Sequence, residues 1–171
     1  MHPHVSLLVK EELEKLLAVG FIRPIDYLEW ISNVVPIHKN PIDIKICTDF
    51  RDINKSFPKE DFPLPNIDMI FDSMAGYEMI SLMDGFSGYN HIKITEEDQD
   101  KTAFTTPWGT FCYQVMPFGL KNAGVTYQWV MNFIFHDMIN DIMEDYVDDI
   151  LGKSRMREYH PVILWRIFQR L

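Results

Sequence analysis

Tyr146-Val147-Asp148-Asp149 sets two adjacent acids between short apolar runs, Asp141-Ile142-Met143 before and Ile150-Leu151-Gly152 after. That pattern predicts a hairpin tip that presents carboxylates. Asp84 ends a second apolar run, Met79-Ile80-Ser81-Leu82-Met83. Two strands delivering three carboxylates to one point could hold divalent metal and support metal-assisted phosphoryl chemistry. Each acid also has an ordinary reading. Asp pairs are common in turns, where the side chain bonds its own backbone, and a strand-terminal Asp often caps the next helix.

Three further segments could contact a phosphorylated substrate. Ser87-Gly88-Tyr89 follows Asp84. A glycine there allows close backbone approach to a sugar or phosphate, although an ordinary turn before a core aromatic has the same sequence. In Met116 to Ala123, Pro117, Phe118, Gly119 and Lys121 lie where a strand turns into a helix. Helix N-termini favour anions, and such corners are also routine. In the segment from Lys45 to Asn54, strand alternation puts Lys45 and Cys47 on one face. Lys45 and Arg51 could meet phosphate, or Arg51 could pair with Asp49 or Asp52.

The elements that must position these residues read as follows. Residues 6–19 form an amphipathic helix with Val9, Leu13, Leu16 and Leu17 on one stripe, stopped by Gly20. Strands are expected over 33–38 and 44–49, joined by a turn at Lys39 to Asp43. The prolines between Phe57 and Pro65 exclude regular structure. A helix then starts near Asn66, with Ile67, Ile70, Phe71 and Met74 on one face and Gly76 as its stop. Strands follow over 78–84, 91–94 and 110–116. A helix over 122–139 carries Tyr127, Met131, Ile134 and Met138. The hairpin around 143–152 and an amphipathic piece over 157–170 complete the order. This mixed order predicts an α+β fold with helices packed on one face of a sheet.

The chain has 171 residues, 47% of them hydrophobic, which is about one domain with a sizeable core. No apolar stretch approaches the roughly 18 residues that span a bilayer, so no membrane partner is expected. Cys47 and Cys112 stand alone, implying neither a disulfide framework nor a zinc site, and they suit a reducing, intracellular compartment. The net charge of −9 opposes nucleic-acid binding at first sight. Much of the excess is local: residues 137–149 hold Asp137, Asp141, Glu144, Asp145, Asp148 and Asp149 with no Lys or Arg. Such a segment either holds cations or is a solvated face.

Seven segments in order carry a resemblance. They are Gly20-Phe21-Ile22-Arg23-Pro24, Asp49 to Lys55, Asp61-Phe62-Pro63-Leu64-Pro65, Asp84 with Ser87-Gly88-Tyr89, Lys101-Thr102-Ala103-Phe104, Met116 to Ala123, and Tyr146-Val147-Asp148-Asp149. Together they resemble the reverse transcriptase of gypsy-type LTR retrotransposons, from about residue 8 to about residue 155.

The resemblance implies a right-hand polymerase fold whose palm is a ferredoxin-like antiparallel sheet. Residues 1–65 resemble fingers. Residues 66–155 resemble palm, with about 91–122 returning to the fingers, and 156–171 resemble the palm helix that leads to a thumb. The implied activity is RNA-directed DNA polymerisation by two-metal nucleotidyl transfer. Asp84, Asp148 and Asp149 would hold two Mg²⁺ ions, with Mn²⁺ as a substitute. The partners would be an RNA or DNA template with primer, and deoxynucleoside triphosphates. Tyr89 matches a steric gate against the ribose 2′-hydroxyl, Phe118 a residue touching the incoming nucleotide, and Lys45 a triphosphate contact. Arg51, Gly88, Gly119 and Lys121 complete the nucleotide-binding candidates. The family's thumb, RNase H, integrase and protease regions are expected to be absent, which implies feeble polymerisation. The alternative is a non-catalytic relic that binds nucleic acid or protein. The chain departs from the family at Lys45, where Arg is usual, at His91, where Gln is usual, and at Pro41-Ile42-Asp43, where a basic, Gly-containing turn is usual.

Overall fold

A computed structural model describes residues 3–26, 30–38, 40, 44–60, 62–63, 65–85 and 88–171. Ser87 and the turn Pro41-Ile42-Asp43 lie outside the described residues, as do Asp61 and Leu64 of the fifty-seven to sixty-five segment. In chain order the elements are α1 (Pro3–Ala18), β1 (Ile22–Pro24), β2 (Ser32–His38), β3 (Ile44–Thr48), α2 (Arg51–Ser56), α3 (Ile67–Ser73), β4 (Met79–Asp84), α4 (Glu96–Gln99), β5 (Phe104–Thr106), β6 (Gly109–Tyr113), α5 (Ala123–Phe135), β7 (Met143–Tyr146), β8 (Asp149–Ser154) and α6 (His160–Phe168). Among the described residues no helix is long and apolar enough to cross a membrane.

The chain divides into two compact units, Met1–Lys59 with Tyr89–Ala123, and Glu60–Gly88 with Gly124–Leu171. The first is built on a five-stranded sheet in the order β1-β6-β5-β2-β3. Its strands pair antiparallel except β2 and β5, which run parallel. α1 buries Val9 and Leu13 in a core with Ile22, Ile44, Ile46, Phe50, Phe104 and Tyr113. Leu17 of the expected stripe is exposed, and Val5 and Leu8 pack on the core instead. The helix closes where Gly20 takes φ +73°, with the Phe21 N–H reaching back to the Leu16 carbonyl at 3.0 Å. This is the six-to-one bond of a Schellman stop.

Residues 91–94 were expected to form a strand and do not. Gly88–His91 is a 3-10 turn, Lys93 makes an isolated bridge to Val115 outside the named strands, and Ile94 packs on the core. The 3-10 turn takes up the chain as far as His91, which leaves the two bonds Ile94 N–H to the Gln114 carbonyl and Met116 N–H to the Ile92 carbonyl rather than a ladder.

The second unit is built on a three-stranded antiparallel sheet, β4-β8-β7. Met79, Ser81, Met83, Gly152 and Ser154 share one face by register and alternation. α6 lies on that face. A Cβ on Gly152 would stand 3.0 Å from Leu164 and 3.2 Å from Ile167, so glycine lets the helix approach. His160 is buried there, with its Nε2 2.8 Å from the Ser81 hydroxyl and its Nδ1 2.9 Å from that of Ser154. α5 contributes buried Tyr127, Met131 and Phe135. It ends at Phe135 rather than 139: the Met138 N–H bonds the Phe135 carbonyl at 2.8 Å in a tighter turn, and Asn140 then takes φ +69°. Met138 is buried beyond the helix, and Phe135 takes the place expected for Ile134.

α3 serves the opposite face. Its Asn66 side chain accepts the Asp68 N–H at 2.9 Å, which caps the helix. Only Ile70 of its apolar face is buried. Ile67 and Phe71 are exposed and, with Met74, Ile80 and Leu82, line an open apolar cavity of about 500 Å³. On the same face Lys153, 1% exposed, bonds Glu144 at 2.6 Å and the Ser73 carbonyl at 3.1 Å. The expected C-terminal helix over 157–170 is a 3-10 turn, Arg157–Tyr159, followed by α6 with a proline in its first turn.

Candidate active site

Asp84 and Asp149 are register partners across β4 and β8. Their side chains share the sheet face with Leu82 and Leu151, because partners and alternate residues project together. Tyr146 pairs with Asp149, so Val147 and Asp148 form a two-residue turn. Val147 holds φ +54°. A β-branched residue in that region is strained, and such strain concentrates at functional sites. Two bonds hold the turn. The Val147 N–H donates to Gln128 Oε1 at 3.1 Å, and the Gly85 N–H donates to the Asp148 carbonyl at 2.9 Å. The second bond ties the end of β4 to the hairpin tip.

The acids act on shared surroundings. Burial pushes the Tyr127 phenol up, and the charges of Asp148, Asp145 and Asp84 add to this. Asp145, buried in β7 beneath the tip, is pushed up to about 6 by burial, against a hydrogen bond from Gln128 that lowers it. Gln128 is wholly buried.

Among the described residues no group of three or more His, Cys, Asp or Glu side chains is gathered closely enough to hold a metal ion by itself. Mg²⁺ seldom needs one. It favours hard oxygen donors and is commonly held by one or two carboxylates, with water and substrate phosphates completing its shell. Asp84 and Asp149 opposite each other, with Asp148 at the adjoining turn, fit that mode by donor type.

Gly88 has a structural reason for being glycine. A Cβ there would lie 2.7 Å from the Tyr127 hydroxyl and 2.8 Å from its ring. The space a side chain would occupy is filled by this chain itself.

Within the first unit, three candidates converge. The Lys45 ammonium stands 3.5 Å from the centroid of the Phe118 ring, a cation–π contact. Tyr89, which is buried, meets Phe118 edge to face at 4.9 Å. The other candidates of this unit are engaged elsewhere. Arg51 forks onto Asp49, with Nε 2.8 Å from Oδ1 and Nη2 2.6 Å from Oδ2, and holds that carboxyl down at about 2. Lys121 donates its ammonium to the Phe57 carbonyl at 3.1 Å. Asn54 accepts the Lys121 N–H and donates to the Gly119 carbonyl, both at 2.8 Å. Gly119 takes φ +98°, which explains the glycine at that corner.

Sequence reading did not single out Gln128, Asp145 as a buried group, Tyr127 as a site neighbour, or Asn54. Gln128 sits next to the apolar stripe of α5 and carries no local signal. Asp145 was legible only as one of a run of acids.

Residues 37–171 match the family described as reverse transcriptase (RNA-dependent DNA polymerase). Over 167 residues the chain is 29% identical to the retrovirus-related Pol polyprotein from transposon 297 of Drosophila melanogaster, covering 95% of this chain and 16% of that one. It is 30% identical over 162 residues to the corresponding polyprotein from transposon gypsy of the same fly, covering 91% and 16%. An RNA-directed DNA polymerase homolog of Oenothera berteroana is 33% identical over 110 residues, which is 64% of this chain and 78% of that protein. The chain thus spans about a sixth of the transposon polyproteins. The fold matches the prototype foamy virus protease–reverse transcriptase with a TM-score of 0.88 at 22% identity, over 100% of this chain and 23% of that one. A foamy viral protease–reverse transcriptase in complex with RNA/DNA hybrid gives 0.88 at 20% identity, with the same coverage. With the family matched over most of its length and its relatives being retrotransposon polyproteins, the chain belongs to the reverse transcriptase family.

Proposed function

We propose that this chain carries the nucleotidyl-transfer site of an RNA-directed DNA polymerase. The observation that carries the reading is Asp84 in register with Asp149 beside a strained turn bearing Asp148, in a chain of this family. In the proposed reaction the primer 3′-oxygen bonds to the α-phosphorus of a deoxynucleoside triphosphate. The bond from the α-phosphorus to the β-bridging oxygen breaks, and pyrophosphate leaves. The 3′-hydroxyl proton passes to solvent or to a nearby base.

Asp84, Asp148 and Asp149 would hold two Mg²⁺ ions, with Mn²⁺ able to replace them. Bound metal would supply Lewis-acid activation of the hydroxyl and neutralise charge on the triphosphate. The residues themselves supply position. The Gly85–Asp148 bond fixes the end of β4 to the tip, so the acids cannot drift apart independently. Acids that gather cations also reconcile the net charge of −9 with a polyanionic substrate.

Lys45 would meet the triphosphate, carrying charge without the bidentate fork of an arginine. Phe118 would touch the incoming nucleotide, and the packed Tyr89 ring would exclude a ribose 2′-hydroxyl. Arg51 and Lys121 would reach phosphate only by releasing Asp49 and the Phe57 carbonyl. Gly88 and Gly119 would shape the backbone beside these residues. Template and primer are the proposed partners, in line with the foamy virus enzyme captured on RNA/DNA hybrid. A strongly acidic chain offers few phosphate contacts, so duplex binding by these residues would be weak at physiological salt.

Primer extension on an RNA template with Mg²⁺ tests this. Weak extension that disappears in Asp148→Asn is expected. Extension untouched by Asp148→Asn would overturn the catalytic reading, and robust extension would overturn the weak one. Mn²⁺ binding lost in Asp84→Asn would separate an intact site from a module that only binds nucleic acid or protein.

A further inference from the structure

The turn that carries Asp148 is held from beneath by two buried side chains. Gln128, on α5, is 0% exposed and Asp145, on β7, is 3% exposed. The Gln128 amide is used on both sides. Its Oε1 accepts the Val147 N–H at 3.1 Å, and its Nε2 donates to Asp145 Oδ2. These bonds are directional in a chemically enforced way. A carboxylate only accepts, so the amide edge that faces Asp145 must be NH₂, which leaves the carbonyl for the Val147 N–H. With that partner removed, the amide could rotate by half a turn and set NH₂ against N–H. The contact would then push on the turn rather than hold it. Val147 is the residue least suited to stand unaided, being β-branched at φ +54°.

We propose that Gln128 and Asp145 are positioning residues: Asp145 orients the Gln128 amide, which grips the Val147 N–H and holds the left-handed turn that presents Asp148 and Asp149 to a divalent cation. This rests on the metal reading of those acids. Asp145 is here no ligand. It acts through Gln128 and the backbone, as outer partners of metal ligands do.

The test uses the whole 171-residue chain, with Mn²⁺ alone as the probe and the Val147 amide as an independent reporter. Mn²⁺ affinity would be read by paramagnetic broadening, and Val147 protection by amide hydrogen exchange. Gln128→Leu should weaken Mn²⁺ binding by about tenfold or more and speed Val147 exchange, while the melt stays cooperative. Gln128→Glu should do the same wherever both facing carboxylates are charged, because it then sets them against each other. Adding Asp145→Asn to Gln128→Glu reverses donor and acceptor, since the new amide can donate to the new carboxylate, whose other oxygen accepts from Val147. That double variant should recover both affinity and protection. If Gln128→Leu does not fold, Gln128→Glu against the double variant decides, and equal affinity in the two would overturn the proposal. Mn²⁺ binding that depends on Asp84 but stays within about twofold in Gln128→Leu would overturn it while leaving the metal reading intact. Wild-type chain that shows no Asp84-dependent binding would overturn the metal reading itself, and this inference with it.

Discussion

Gly88→Ala isolates a steric requirement at the foot of the candidate site. An added Cβ would meet three atoms of the Tyr127 side chain at 2.7, 2.8 and 2.9 Å. Carbon atoms at rest sit about 3.5–4.0 Å apart, so the overlap approaches 1 Å. The Tyr127 ring is rigid and 6% exposed, and it has little room to withdraw. Gly88 does not hold a positive φ, so alanine incurs no backbone strain there and the whole effect is steric. Overpacking of this kind costs about 2–3 kcal/mol, which for a chain of this length lowers Tm by roughly 5–10 °C. Urea denaturation followed by far-UV circular dichroism would read the change. The companion experiment repeats the substitution in Tyr127→Leu, where the ring is gone. The two changes should then be non-additive, with a favourable coupling of about 1 kcal/mol or more. Gly76→Ala supplies the opposite control: φ is +84° and nothing lies within 4 Å, so its cost is backbone strain alone and should not respond to Tyr127. A Gly88→Ala cost below about 0.5 kcal/mol, or an equal cost in both backgrounds, would refute the steric account.

Three further outcomes are expected. Lys153→Met strands the buried Glu144 carboxylate and should destabilise the chain by about 3–5 kcal/mol, whereas Lys153→Met with Glu144→Leu should recover most of this, as urea melts would show. Asp145 rises from an ordinary 3.8 to about 6 on folding, so the folded state keeps a proton that the unfolded state has lost. Stability should therefore fall as pH rises from about 4 to about 6, by at most about 3 kcal/mol, and Asp145→Asn should flatten that slope in melts across the window. Val147→Gly removes the cost of a β-branched side chain at φ +54° and should leave stability unchanged or raise it by about 1 kcal/mol, measured by thermal melting; a clear loss would mean that the valine side chain matters more than its strain.

Much of the site was legible in the sequence because its placement obeys short-range rules. Alternation and turn chemistry set Asp84 and Asp149 at strand ends, and the hairpin formed with Val147-Asp148 at its tip. The stops at Gly20 and Gly76 and the helix start near Asn66 follow from local preferences that need no tertiary partner. The order of seven motifs carried the family. Hydrophobic periodicity fared less evenly. It found α1 and α3 but placed Leu17, Ile67 and Phe71 in a core they do not enter. It also missed the one-and-a-half-turn α2 and the three-residue β1 and β5, which are too short to show a period.

By itself, the sequence determined the elements, the hairpin, the position of three acids and the family. Only the tertiary structure decided which neighbours each group meets. Gly88 looked open to a substrate until Tyr127, from another element, filled its space. Lys121 looked available to phosphate until the Phe57 carbonyl, 64 residues away in the chain, took its donor. Asp145 looked like one solvated acid among several until burial beside Gln128, 17 residues away in the chain, turned it into a support for the turn. The physical reason is range. Turn and strand preferences are set by neighbouring dihedrals, whereas burial and hydrogen-bond partnership depend on chain segments that meet only when the fold closes.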